Sequence, residues 1–187
     1  MAASLPVLLL VPLLSQLGCV PKTGVVSAER SLDVTVVAAR EPMDQARVEP
    51  VPTAVSDGIL AALKARNLHP TLADPSTWQD AFTHGRTTRF RVAHVAVGSQ
   101  ADLVLVTETW ARYGSQLGGR YQWTVQVTVS LAPVAHPEQV ETSSFEVPVF
   151  LQYYHQQEAE AVEAAAPVIE RRVGSLLDQY LGGLEAQ

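Results

Sequence analysis

The chain reads as an α+β protein. We expect a β-α-β start and then an antiparallel meander, together forming a mixed sheet of about five strands. Helices should lie on one face, with a long amphipathic helix at the C-terminal end. Three patterns carry that expectation. Apolar residues recur at strand, helix and strand spacing between residues 31 and 72. Tyr121, Trp123, Val125, Val127, Val129 and Leu131 alternate strictly with Gln122, Thr124, Gln126, Thr128 and Ser130. That period of two marks a strand with one packed face and one wet face. Finally, Val162, Ala165, Ala166, Ile169, Val173, Leu176, Leu177, Tyr180 and Leu181 fall at i, i+3, i+4 spacing, one apolar helical stripe.

Leu32, Val34, Val36 and Val37 predict a first strand over 31–38. A loop with Pro42, Pro50 and Pro52 follows, long enough to be mobile or functional. Val55, Ile59, Ala62 and Leu63 predict a helix over 53–66, with Asn67 as its stop. Residues 68–72 make a short strand, which Pro70 confines to an edge or an irregular position. A strand, a helix and a strand in that order imply a crossover and a parallel pair. Asp74 then caps a helix with Pro75 in its first turn, Trp78 and Phe82 in its core and Gly85 at its end.

Residues 86–97 carry both strand and helix signals; the helix is preferred because Gly98 then stops it before a clear strand. That strand spans 101–110, and Leu103, Val104, Leu105 and Val106 place it centrally, with apolar neighbours on both faces. Gly114, Gly118 and Gly119 mark a hairpin loop. The alternating strand comes next, and Pro133, His136 and Pro137 lie in the turn that follows it. A last strand near 140–153 carries Pro148, which suits an edge. In the closing helix Pro167 gives either a kink or the first turn of a second helix, and Gly182-Gly183 should stop it.

The chain has 187 residues and a formal net charge of −6. Acidic chains lack the basic patch that phosphate contacts need, so no nucleic-acid partner is expected. The densest basic stretch, Arg86, Arg89 and Arg91, reads as a solvated face or local salt bridges.

The N-terminal nineteen residues carry the most specific signal. Leu5 to Leu14 form an uncharged apolar run, and Ser15, Gln16, Leu17 and Gly18 lead to Cys19, the only cysteine. The run is too short to span a bilayer and ends on a small residue, as an export signal does. Leu17-Gly18-Cys19 resembles the lipobox of bacterial lipoproteins, differing from the usual pattern at Gln16 and in the lack of Lys or Arg in Met1–Ser4. The resemblance implies a signal peptide over 1–18, cleavage between Gly18 and Cys19, and diacylglycerol on the Cys19 thiol. A lipidated Cys19 and tether would then occupy 19–30, and a single domain of ordinary size would occupy 31–187. The implied place is the cell envelope, with a lipid anchor in the outer membrane facing the periplasm. A lipidated Cys19 would leave no thiol for disulfides, so the fold must rest on its core. Ala101-Asp102-Leu103-Val104-Leu105-Val106 and the helix over 161–181 are similar in pattern to small periplasmic α/β domains of outer-membrane lipoproteins, of the curli-secretion-channel and penicillin-binding-protein-activator types. That likeness implies a binding or assembly role.

No catalytic motif stands out. The five histidines, His69, His84, His94, His136 and His155, include no i, i+4 pair, and neither a metal nor a cofactor is expected. Asp102 and Glu108 share a strand face and would act as an acid–base pair only inside a cleft; otherwise they are a sheet end and a solvated face. His155 with Glu158 and Glu160 is either a weak metal or acid–base cluster or a solvated helix start, where acids favour the dipole. Trp110, Tyr113, Tyr121, Trp123, Tyr153 and Tyr154 are either core or a recognition patch. Tyr113, Tyr121, Tyr153 and Tyr154 are the candidate partner contacts. The leading expectation is a non-enzymatic envelope lipoprotein that docks a protein partner through its open sheet face or the Pro42–Pro52 loop. The alternatives are a carrier of lipid or another apolar ligand between sheet and C-terminal helix, and a cell-wall hydrolase using His155, Glu158 and Glu108.

Overall fold

A computed structural model describes residues 31–41, 47–84, 87–153 and 155–185. The expected signal peptide and tether, with Cys19, and Tyr154, Gly85 and part of the proline loop lie outside the described residues.

The chain forms strand β1 (Asp33–Arg40), the two-residue β2 (Glu49–Pro50), helix α1 (Thr53–Lys64) and β3 (His69–Ala73). A 3₁₀ turn (Pro75–Trp78) leads into α2 (Gln79–His84) and α3 (Thr88–Val97). Then come β4 (Leu103–Leu117), β5 (Arg120–Pro133), β6 (Glu141–Leu151), α4 (Glu158–Ala164) and α5 (Ala166–Glu185). The sheet order is β2-β1-β4-β5-β6, with β3 also on β1. β1 is parallel to β3 and β4, whereas the β4–β5 and β5–β6 pairs are antiparallel. This is the mixed α+β sheet that the sequence predicts, with the short β2 as a sixth strand. β6, with Pro148, is an edge as expected.

Helix placement differs from expectation in one respect. α1, α4 and α5 cover one face, burying Val34, Val36, Leu105, Val127, Ile169, Val173 and Leu177. α2 and α3 cover part of the opposite face, burying Val37, Val104 and Val106 against Phe82, Val92 and Val95. The cause lies in the two central strands. Val36-Val37 and Leu103–Val106 are apolar on both sides, and each side needs a layer. Only the β5–β6 part of the second face stays polar. There Thr128 and Ser144 hydroxyls meet at 3.1 Å, as do those of Ser130 and Thr142, and the Gln126 amide donates to Glu146.

Local chemistry sets the boundaries. Asn67 adopts φ 57°, a conformation Asn tolerates, and the Leu68 N–H then donates to Leu63 O at 3.3 Å to close α1. The Asp74 carboxylate accepts from Ser76 N–H at 2.9 Å, the expected cap. The ambiguous stretch is helical, with the Thr87 hydroxyl accepting from Phe90 N–H at 3.3 Å. Pro167 sits in the first turn of α5, where its missing N–H costs nothing, so the C-terminal segment is two helices. Gly182 and Gly183 do not stop α5, which continues to Glu185. A helix already nucleated and packed over many residues needs only ~1 kcal/mol to carry each glycine.

Gly118 and Gly119, at φ 57° and 78°, form a two-residue turn that reverses the chain alone. Gly114, expected in that loop, therefore lies within β4 as a bulge, between Tyr113 opposite Trp123 and Ser115 opposite Gln122.

Two substitutions test this framework. Leu177→Ala should lose ~2–5 kcal/mol in urea unfolding, because the side chain is fully enclosed. Gly119→Val should lose ~1–2 kcal/mol through the left-handed backbone alone. Smaller losses would place Leu177 outside a packed core, or give the turn another geometry.

Candidate functional site

β1 last pairs with β4 at Arg40 opposite Thr109, and Glu41 N–H donates to Thr109 O at 2.9 Å. β4 continues for eight more residues to Leu117, and β5 and β6 accompany it up to Tyr121 opposite Leu151. Beyond β1 the sheet is therefore three strands wide. α4 buries Ala161 and Val162 near its base, and above that the side chains emerge.

Tyr113, Tyr121 and Trp123 meet on the face shared with α4. Tyr113 packs edge-on against Trp123 at 5.7 Å and tilts against Tyr121 at 6.5 Å. Tyr113 is 48% exposed and Leu117 at the tip is 62% exposed, whereas Tyr121 and Trp123 also pack on the core. The Trp123 indole N–H is buried without a hydrogen-bond partner among the described residues. Tyr153 stacks on His155 at 5.5 Å in the turn after β6. On the opposite face of the same end, Trp110 and Phe150 are exposed. Thus three of the predicted aromatics form one cluster and Tyr153 sits in a neighbouring turn.

Phe150, Leu117, Arg112 and Arg120 were missed. Phe150 was readable, because alternation that turns Val149 and Leu151 inward turns Phe150 out. The arginines were readable from an absence. No Asp or Glu occurs from 109 to 137 or from 147 to 157, although the chain holds nineteen acidic residues. Arg112 and Arg120 are exposed and make no ion pair among the described residues.

The acid–base candidates are scattered. Glu108 is not on a solvated face. It is buried beneath α3, where Arg91 donates to it and, at 2.7 Å, to Glu41, while the guanidinium lies over the Phe82 ring. Burial pushes the Glu108 carboxyl up despite the opposing pull of Arg91. Glu158 lies on the other side of the sheet, 3.6 Å from Arg40. Glu160 accepts from the Gln157 N–H at 3.0 Å, which holds its carboxyl low, so it is a helix cap. Asp102 accepts from Asp33 N–H at 3.0 Å at the far end of β4. Glu158 and Glu160 share the start of α4, where His155 acts on Glu160, whereas Glu108 and Asp102 lie apart from them. A solvent-open cleft of about 650 Å³ lies between β2, β3 and α1, lined by Val51, Ser56, Asp57, Leu72, Asp74 and Ser76. Its Asp74 is committed to capping the 3₁₀ turn. The space between the sheet and α5, where a lipid would lie, is filled by Ile169, Val173 and Leu177, all fully buried.

No family model and no curated protein matches the chain. Among solved structures it is similar to the PelC dodecamer from Paraburkholderia phytofirmans, at 16% identity and TM-score 0.45 over 78% of this chain and 88% of that one. It is also similar to the lipoprotein GNA1162 from Neisseria meningitidis, at 14% and 0.42 over 81% and 99%. A third is the rare lipoprotein B from Shewanella oneidensis, at 9% and 0.28 over 81% and 94%. The last two are bacterial lipoproteins by description.

The Arg91–Glu108 pair yields a test. Arg91→Met strands a buried carboxylate and should lose roughly 3–5 kcal/mol, much of it recovered in Arg91→Met/Glu108→Leu. Native Glu108 holds its proton more tightly than the unfolded chain does. Its contribution to stability therefore falls as pH rises above the ordinary glutamate range of about 4.3. Glu108→Gln should remove that component from the pH–stability curve measured by urea unfolding. An unchanged curve would mean that Glu108 is solvated.

Proposed function

We propose that this protein is a lipid-anchored envelope lipoprotein that works without catalysis, as a docking module for a protein partner. Cys19 carries the anchor, in the outer membrane and facing the periplasm. The upper end of the sheet, around Tyr113, Leu117, Tyr121 and Trp123, is the contact. The observation that carries this reading is the run of β4–β6 beyond β1, with exposed aromatic and apolar residues at its end. Tyr and Trp contribute large contact areas at little entropic cost and are enriched at hot spots. The anchor follows from Leu17-Gly18-Cys19 after its apolar run. Two or more acyl chains suffice for stable attachment, at ~0.8 kcal/mol per buried methylene. Glu108 lies on the other side of the sheet from Glu158, which favours docking over hydrolysis, and the filled space beneath α5 favours it over lipid carriage.

Two variants separate anchor from contact. Cys19→Ser should leave the full chain in the soluble fraction, with the mass of the acyl groups missing. Tyr113→Ser/Leu117→Ser should keep the chain membrane-bound and folded by circular dichroism, yet abolish its co-purification with a partner. Retention of the partner by that double variant would move the contact elsewhere.

A further inference from the structure

We infer that the partner surface met by the upper end of the sheet is acidic protein, lying on the side of the molecule away from the anchoring membrane; this rests on the anchored docking reading above. Charge favours such a partner. Ala111–Leu117, Arg120–Val125 and residues 147–153 hold no carboxylate, and Arg112, opposite Thr124, and Arg120, opposite Leu117, stand exposed at that end on the face that carries Trp110 and Phe150. The chain as a whole is acidic, with a net charge of −6. An acidic partner is repelled by the net charge and attracted at this end, which orients the encounter before contact. Arg, Tyr and Trp are also the residue types that dominate binding energy once an interface is dry.

The length of the tether limits the orientation at the membrane. β1 begins beside Leu103, and the tip lies at Leu117, fourteen residues further along β4. At ~3.3 Å per residue that is about 46 Å. The tether from Cys19 to the domain at Ser31 is eleven residues, 20–30, and spans about 40 Å even when fully stretched. The tip therefore cannot be pressed end-on into the bilayer that holds the anchor. The relaxed arrangement puts the start of β1 near the membrane and the arginines at the far end.

Photo-crosslinking from position 117 of the full acylated chain in intact cells tests this. The probe is Leu117→p-benzoylphenylalanine, with adducts mapped by mass spectrometry. The expected result is a protein adduct on a peptide rich in Asp or Glu, whose yield falls about tenfold or more in Arg112→Glu/Arg120→Glu and is kept by Arg112→Lys/Arg120→Lys. Arg112→Gln/Arg120→Gln, expected to be intermediate, serves if the charge reversal fails to fold. A protein adduct formed at full yield despite reversal overturns the acidic partner and leaves docking standing. An adduct only to lipid or glycan overturns the inference outright. Absence of any adduct, with the chain anchored and folded, overturns the docking reading together with it.

Discussion

The organising constraint is that β4 and β5 are longer than the sheet's helical cover. Over Leu103–Val106 the central strand is apolar on both faces, and helices from both sides bury it. At Thr109 its neighbour β1 ends, yet β4 carries on. Everything below that level behaves as a two-sided α/β core held by burial. Everything above it is a three-strand blade with one short helix at its base. Side chains that would be core in the lower part become surface in the upper part without any change in strand pattern. Tyr113 and Trp123 occupy that transition, half packed and half free.

Much of this was legible because the signals are local. The period of two in Tyr121–Leu131 and the i, i+3, i+4 stripe of Val162–Leu181 each reflect a single element against a single face. Non-local facts were harder to read. Arg91 and Glu108 lie on a helix and a strand seventeen residues apart, and only the packing of α3 on β4 brings them together. The second helical layer was implicit in the doubly apolar runs of β1 and β4. The weak apolar pattern of α2 and α3, with Arg89, Arg91 and His94 interspersed, did not announce which face they cover. Glycine was misread twice for one reason: its freedom marks where the backbone can bend. At Gly114 it serves a bulge instead of a loop, and at Gly182-Gly183 it serves nothing that stops a packed helix.

The candidate site was half legible. The aromatic residues were found as a list, but only the register of β4 on β5 shows which of them touch. The bulge at Gly114 advances one strand by a residue, so Ser115 meets Gln122 and Gln116 meets Tyr121. The segregation of charge is a property of position in the fold. Stretches without Asp or Glu in sequence share one end of the sheet only because β4, β5 and β6 all rise to the same level.

Hydrogen exchange on the full-length protein, compared between native envelope vesicles and the detergent-extracted purified form, tests the central claim most directly. The account predicts extra protection in the envelope at residues 110–123 and 147–153, with the opposite end at 31–35 and 133–139 unchanged. Protection gained at that opposite end, or gained nowhere, would contradict it.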